Sequence, residues 1–272
     1  MKRIAIQGFS GCFHEQAARK FYSEPIEIVE CATFEGLFTA MDEGRADAAI
    51  MAVENTTSGG LLPNYEFLRK HGKKIKGEVF LRIEQNLMAL PGQKLEDIKE
   101  VHTHYMAFNQ TREFFKKHPG MRLVESEDTA LSAAEVAKKQ LKGVAAVASS
   151  LAAELYGLEI ICPGIETYKQ NFTRFLIIDD NLEVPVEKQN KATMCFTLPH
   201  QPGSLAHVLT IMSFYGMNLT KIQSLPLPGR EWQYFFYIEI KHENHLRFEQ
   251  ALAAVRPLME DLTIMGEYSA TI

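Results

Sequence analysis

The run Asn171-Phe172-Thr173-Arg174-Phe175 sets a hydroxyl beside a guanidinium at the mouth of an apolar stretch, Leu176-Ile177-Ile178, that reads as a buried strand. An arginine entering such a run is costly to bury unless a carboxylate or phosphate meets its planar fork. The pair therefore suits a pocket for a small anionic organic molecule, with Thr173 as hydrogen-bond donor and Arg174 as anion holder. The other reading of Arg174 is a structural ion pair. A second polar run, Glu54-Asn55-Thr56-Thr57-Ser58-Gly59-Gly60, falls where a strand ends and a helix begins, a place where hydroxyls and free amides favour anions.

Both runs need a scaffold, and the chain around them alternates strand and helix patterns. Residues 3–8 read as a strand, followed by a glycine turn (Gly8-Phe9-Ser10-Gly11) and a helix from His14 or Glu15. Strands are expected at 26–29 and 46–53, with a helix at 33–44 between them. A strand-rich stretch spans 78–90, a short strand ends at His104, and a helix covers 109–117. From Ala130 the spacing of Ala133, Ala134, Ala137 and Leu141 puts a small apolar face on a helix, capped by Ser126 or Asp128. A buried strand at 144–148 leads through Ser149-Ser150 into a helix ending at Gly157. Two α/β lobes result, about 1–77 with 160–182 and about 78–159, and open α/β sheets bind ligands at the carboxyl ends of their strands.

Residues 179–190, polar and interrupted by Pro185, read as a linker. Beyond it, 191–272 shows a βαββαβ order: a strand at 193–198, a helix carrying Leu205, Val208, Leu209 and Met212, and a strand at 219–225. The turn Pro228-Gly229-Arg230 leads to an aromatic strand at 233–240, a helix carrying Phe248, Ala251, Leu252 and Val255, and a last strand near 262–265. This unit carries 6 Lys+Arg against 7 Asp+Glu, so a polyanion is not its partner.

Composition removes several function classes. A net charge of −5 over 272 residues, with no basic patch interleaved with aromatics, argues against nucleic acid. No apolar run is long enough to span a bilayer, and the N-terminus lacks a leader pattern, so the expected compartment is the cytoplasm. The four cysteines (Cys12, Cys31, Cys162, Cys195) are scattered, which argues against zinc, iron–sulfur and disulfide frameworks and gives no reason for a metal.

Taken in order, several segments resemble the prephenate dehydratase family, and the likeness covers essentially the whole chain. Gly8 to Phe13 resembles the family's opening glycine loop, Val53-Glu54-Asn55-Thr56 its Glu-Asn-Ser element, and Thr103-His104-Tyr105-Met106-Ala107 its Ser-His-Pro-Gln-Ala turn. Asp128-Thr129-Ala130, Ala146 to Gly157 and Asn171 to Phe175 match further family motifs. The resemblance implies a two-lobed, periplasmic-binding-protein-like α/β catalytic region over 1–182, followed by a ferredoxin-like ACT regulatory domain over 191–272. It implies a carbon–oxygen lyase that converts prephenate to phenylpyruvate on the route to phenylalanine, with no cofactor.

Under that resemblance Thr173 hydrogen-bonds the leaving oxygen or relays a proton to it, and Arg174 clamps a substrate carboxylate. Asn55, Thr56 and Ser149 supply neutral donors, and Asn171, Phe175, Gly11 and Cys12 line the substrate site. Glu54 is either a proton source or a helix-start carboxylate, and His104 either a general acid or a structural hydrogen-bonder. Cys12 stands where the family has threonine, and its thiol is expected to pack. Tyr105 and Met106 replace the family's proline and glutamine. ACT domains pair side by side and bind amino acids where two copies meet, which implies a homodimer or homotetramer with L-phenylalanine as effector. Gly203, Ser204 and Leu205 match the Gly-Ala-Leu element, and Asn218 and Leu219 fit the pattern. Gln223-Ser224-Leu225-Pro226 stands where the family has Glu-Ser-Arg-Pro, without its two charges; dimerisation alone is the competing role. Arogenate dehydratase and a non-catalytic binding module for small anions are the rival readings of the whole chain.

Overall fold

The computed structural model describes residues 1–61, 63–227 and 229–271, so Pro228 of the expected turn lies outside the described residues. In chain order the elements are β1 (Lys2–Gln7), α1 (Phe13–Phe21), β2 (Ile26–Cys31), α2 (Phe34–Asp42), β3 (Ala48–Asn55), β4 (Gly59–Gly60), α3 (Pro63–His71) and β5 (Ile75–Arg82). There follow β6 (Asn86–Ala89), β7 (Glu100–Thr103), α4 (Tyr105–Lys116), β8 (Arg122–Glu125), α5 (Thr129–Lys138), β9 (Val144–Ala148), α6 (Ser150–Tyr156), β10 (Glu159–Cys162) and β11 (Phe172–Ile178). The C-terminal elements are β12 (Lys191–Thr197), α7 (Ser204–Phe214), β13 (Asn218–Pro226), β14 (Tyr234–Lys241), α8 (His245–Val255) and β15 (Glu260–Tyr268).

The first sheet has the order β2-β1-β3-β11-β5, with β4 added to β3. β1 runs parallel to β2 and β3, and β1 and β3 are apolar on both faces, as parallel strands covered by helices require: Ile4 to Ile6 and Ala48 to Met51 are fully buried. The second sheet has the order β10-β6-β9-β7-β8, with β7 parallel to β8 and β9 and with β6 antiparallel to β9 and β10. Leu87, Val101, Phe115, Ala145 and Val147 form its core. Each fully buried Leu, Ile or Phe here contributes on the order of 2 kcal/mol.

The stretch read as one strand-rich segment over 78–90 divides between the two sheets. The N–H of Ile83 donates to the Asn171 carbonyl (2.8 Å) and that of Gln85 to the Glu166 carboxylate (3.0 Å), so neither continues a ladder. The lobe boundaries expected near 77 and 159 are corrected accordingly: β5 belongs to the first sheet through Arg82, and β10 to the second through Cys162.

By contacts the chain forms two compact units, Met1–Leu62 with Val79–Phe175, and Pro63–Glu78 with Leu176–Ile272. The second holds the expected βαββαβ order in an antiparallel sheet β13-β14-β12-β15. Met194, Phe196, Val208, Ile238, Phe248 and Val255 are in its core. The expected division between 182 and 191 is corrected by the segment 63–78, which joins this unit. Tyr65 donates a hydrogen bond to Glu239 (2.7 Å), Arg69 stacks on Phe235 (4.2 Å) and Glu78 meets Lys191 (2.9 Å). Among the described residues no helix is long and apolar enough to cross a membrane.

Candidate active site

Within the first unit, the end of β3, the start of β11 and turns of the second sheet enclose a cavity of about 290 Å³, room for one small organic molecule. Its polar floor is built on Asn55. The Asn55 amide donates to the Thr173 hydroxyl (2.9 Å) and to the Asn171 side-chain oxygen (2.8 Å). Its own oxygen accepts from Thr57 N–H (2.9 Å), the Thr57 hydroxyl (2.6 Å) and Ser58 N–H (2.8 Å), which fixes the amide orientation. Thr173 thus receives a hydrogen bond from one side, and its own proton has no acceptor among the described residues. Thr173 and Phe175 line the cavity, as alternate residues of a strand do.

The two lobes close on the glycine turn. Gly11 has φ +89°, and a Cβ there would stand 2.9 Å from the Cα of Ala152 on α6, so only glycine permits this approach. Ser149, the N-cap of α6, accepts from Ala152 N–H and donates to the Gly11 carbonyl, while the Tyr156 hydroxyl donates to the Ser10 carbonyl (2.6 Å). A Cβ on Gly8 (φ +105°) would stand 2.9 Å from Asp128, at the N-cap of α5.

The walls carry two imidazoles and two carboxylates. His14 lies edge-on to Phe175 (5.0 Å), and its Nε2 accepts from Ala52 N–H (3.4 Å), so in the neutral ring the proton sits on Nδ1. Burial lowers its pKa to about 4. His104 caps α4, its Nδ1 accepting from Met106 N–H (3.2 Å), which leaves Nε2 as the protonated nitrogen of its neutral form. Asp128 accepts from Leu131 N–H (2.9 Å), and burial raises its carboxyl pKa against the pull of that helix start. Glu127 lies beside it, and among the described lining residues there is no lysine or arginine. Burial pushes the Cys12 thiol up to about 12, so it stays protonated and packs.

Several expected site residues stand elsewhere. Arg174 is 5% exposed, its guanidinium 5.9 Å from the Phe80 ring, and it does not line the cavity. The expectation that it clamps a substrate carboxylate beside Thr173 is corrected, because neighbouring strand residues face opposite ways. Thr56 is corrected too: its N–H and Oγ1 tie it to Phe172, and its hydroxyl donates to the Gln170 carbonyl (3.0 Å), joining β3 to β11. Ser149 is a cap rather than a cavity donor, and the Gly11 N–H is taken by Glu15 (2.6 Å). Glu54 pairs with Gly60 in the β3–β4 ladder and is not a lining residue.

Asn171 is 1% exposed, and its Nδ2 has no hydrogen-bond partner among the described residues. It faces an adjoining recess of about 370 Å³ that also includes Arg112 and Tyr105. His14, Gln85, Gln110 and Glu127 line the cavity without having been singled out for it in the sequence. The run Cys12-Phe13-His14 at the start of α1 carries no catalytic signature, and only the fold turns His14 inward. In the second unit Gly203 is the N-cap of α7, with Ser204 and Leu205 in the first turn, and Asn218, Leu219, Gln223 and Ser224 lie on β13 at the sheet edge.

Comparison with known proteins bears on this geometry. The family model for prephenate dehydratase matches residues 4–182. The chain is 33% identical over 98% of its length to arogenate dehydratase 2 of Petunia hybrida, covering 71% of that protein. To the bifunctional chorismate mutase/prephenate dehydratase of Aquifex aeolicus it is 31% identical over 98%, covering 73%. Among solved structures it resembles GqqA, described as a novel type of quorum quenching acylase, with a TM-score of 0.90, 32% identity and coverage of 99% and 98% of the two chains. It also resembles prephenate dehydratase from Arthrobacter aurescens in complex with L-Phe, with a TM-score of 0.87, 27% identity and coverage of 98% and 89%. With more than half its length matched by the family model, the chain belongs to the prephenate dehydratase family.

Proposed function

We propose that this chain converts prephenate to phenylpyruvate by decarboxylative dehydration. The observation that carries the reading is the Thr173 hydroxyl, held by the Asn55 amide with its own proton uncommitted at the cavity floor. Loss of carbon dioxide and hydroxide together makes the ring aromatic, so the protein must chiefly position the substrate and stabilise the departing oxygen. Thr173 donates to that oxygen. The unpartnered Nδ2 of Asn171 and the guanidinium of Arg112 supply donors for a carboxylate in the adjoining recess, the task first assigned to Arg174. His104 Nε2–H and His14 Nδ1–H are the further hydrogen-bond donors in the walls. Incubation with prephenate and measurement of phenylpyruvate absorbance in alkali tests the reading. Formation of phenylpyruvate supports it, and binding without turnover replaces it with the non-catalytic binding module.

A second substrate is favoured by one feature. Arogenate carries an ammonium group where prephenate has a keto group, and Asp128 and Glu127 line the cavity with no lysine or arginine among the described lining residues. Asparagine also caps helices well, so Asp128→Asn keeps α5 intact while removing the charge. The variant is expected to lower kcat/KM for arogenate several-fold relative to prephenate; an unchanged ratio excludes Asp128 from this selection. An acyl-transfer reading finds no activated nucleophile in Cys12, whose thiol burial keeps protonated.

The second unit we read as an ACT sensor for L-phenylalanine that pairs with a second copy. The exposed edge strand β13, with Ile222 42% exposed, offers a surface for such pairing. Regulation requires L-phenylalanine to bind one arrangement of the protein better than another. Calorimetry with L-phenylalanine is expected to give saturable heat and a change in turnover; absence of both leaves dimerisation alone as the role of the unit. We place the enzyme in the cytoplasm, consistent with four free cysteines.

A further inference from the structure

The last turn of β14 and the start of α8 gather titratable groups away from the cavity. Asn244 caps α8 by accepting from Arg247 N–H (3.1 Å), and the helix opens with His245. Four residues on, Glu249 shares its face, with 3.6 Å between His245 Nε2 and a Glu249 oxygen. Glu267 on β15 completes a trio whose ligand atoms all lie within 4.8 Å of one another. Two carboxylates so close oppose each other.

Beside the trio stands His242, 4% exposed, flat against Phe248 (4.9 Å, 7°) and 5.9 Å from the His245 ring. Neither of its ring nitrogens has a hydrogen-bond partner among the described residues, and His245 Nδ1 also lacks one. A buried imidazole with both nitrogens unsatisfied is costly, so its retention calls for a ligand that meets it.

We propose that His245, Glu249 and Glu267, with His242 as the fourth donor, form a site for a divalent transition-metal ion of the zinc or cobalt type. Two imidazoles with two carboxylates match the donor preferences of these ions, whereas calcium and magnesium take oxygen ligands. Around a tetrahedral ion with ligand bonds near 2.0 Å the donor atoms stand about 3.3 Å apart, a contraction that the flexible Glu249 side chain and a turn of the His242 ring can provide. An ion there tethers the start of α8 to β15 and relieves the repulsion between the carboxylates.

The test titrates the untagged full-length protein with zinc chloride by calorimetry and with cobalt chloride by visible absorption. The expected result is saturable binding of about one ion per chain, with the intense d–d bands of four-coordinate cobalt. His245→Ala and Glu267→Gln should each weaken zinc binding roughly tenfold or more, and His242→Phe, which keeps the stack on Phe248, should weaken it and alter the cobalt spectrum. None of the three should change prephenate turnover. No saturable binding, or a His245→Ala/Glu267→Gln double variant that binds zinc as the parent does, overturns the site. An unchanged cobalt spectrum in His242→Phe overturns its place as fourth donor.

Discussion

At the cavity floor, Asn55 and Asn171 hold Thr173 through neutral hydrogen bonds and leave a hydroxyl proton and an amide N–H without acceptors. In the second unit Lys191 is enclosed by Glu78 at 2.9 Å and Glu239 at 3.3 Å, Tyr65 donates to Glu239, and Thr271 donates to Glu78 through both its N–H and its hydroxyl. Both networks are buried, yet they serve opposite ends. The charged network sets one ammonium between two carboxylates and anchors β12, β14, the segment 63–78 and the C-terminal residues to one another. The neutral network keeps surplus donors, which destabilises the protein alone by about 1–3 kcal/mol per group and is retained where a ligand supplies the acceptor.

If that contrast is sound, disrupting the two networks should harm different properties. Lys191→Met leaves Glu78 and Glu239 facing each other in the interior, and the expected loss is about 3–5 kcal/mol of stability, read as a lower melting temperature in thermal denaturation. Its kcat at a temperature where the variant is folded should stay near the parent value.

Acid should act on the cavity side. His14 is neutral when folded, with a pKa of about 4 against an ordinary 6.5, so its contribution to stability is present above pH 6.5 and lost as pH falls toward 4. That contribution amounts to up to about 3 kcal/mol. Denaturant titrations across this range should show a shallower loss of stability with acidity in His14→Phe than in the parent.

Gly11→Ala should cost about 1–2 kcal/mol from the left-handed backbone alone, and its methyl group, 2.9 Å from the Ala152 Cα, must also push the backbone apart where the lobes meet. A raised KM for prephenate, measured by steady-state kinetics below a lowered melting temperature, is expected. An unchanged KM would show that the lobes meet elsewhere for catalysis.

The alternation of strand and helix, the cap at Asp128 and the helix from Ser150 to Gly157 were legible because each is encoded by neighbouring residues. Thr173 and Asn55 were legible as cavity residues because polar groups at the ends of apolar strands have few structural uses. Arg174 misled, since a motif gives adjacency in the chain while a strand sends adjacent side chains to opposite faces. Ser149 and Thr56 misled for a related reason: a hydroxyl at a helix start or strand end serves the backbone as readily as a ligand. His14 and the group around His245 could not be read at all, because their neighbours come from strands distant in the chain. The association of 63–78 with the C-terminal unit was equally hidden, resting on contacts such as Tyr65 with Glu239, 174 positions apart.

The proposed role of the Thr173 hydroxyl, donation of its proton to the departing oxygen, is tested most directly by comparing Thr173→Ala with Thr173→Ser. The alanine variant should lose on the order of 10²–10³ in kcat with prephenate while KM and melting temperature stay near the parent values, and serine should restore much of the rate. Alanine turning over prephenate as fast as the parent, or losing rate only because it unfolds, would contradict the assignment.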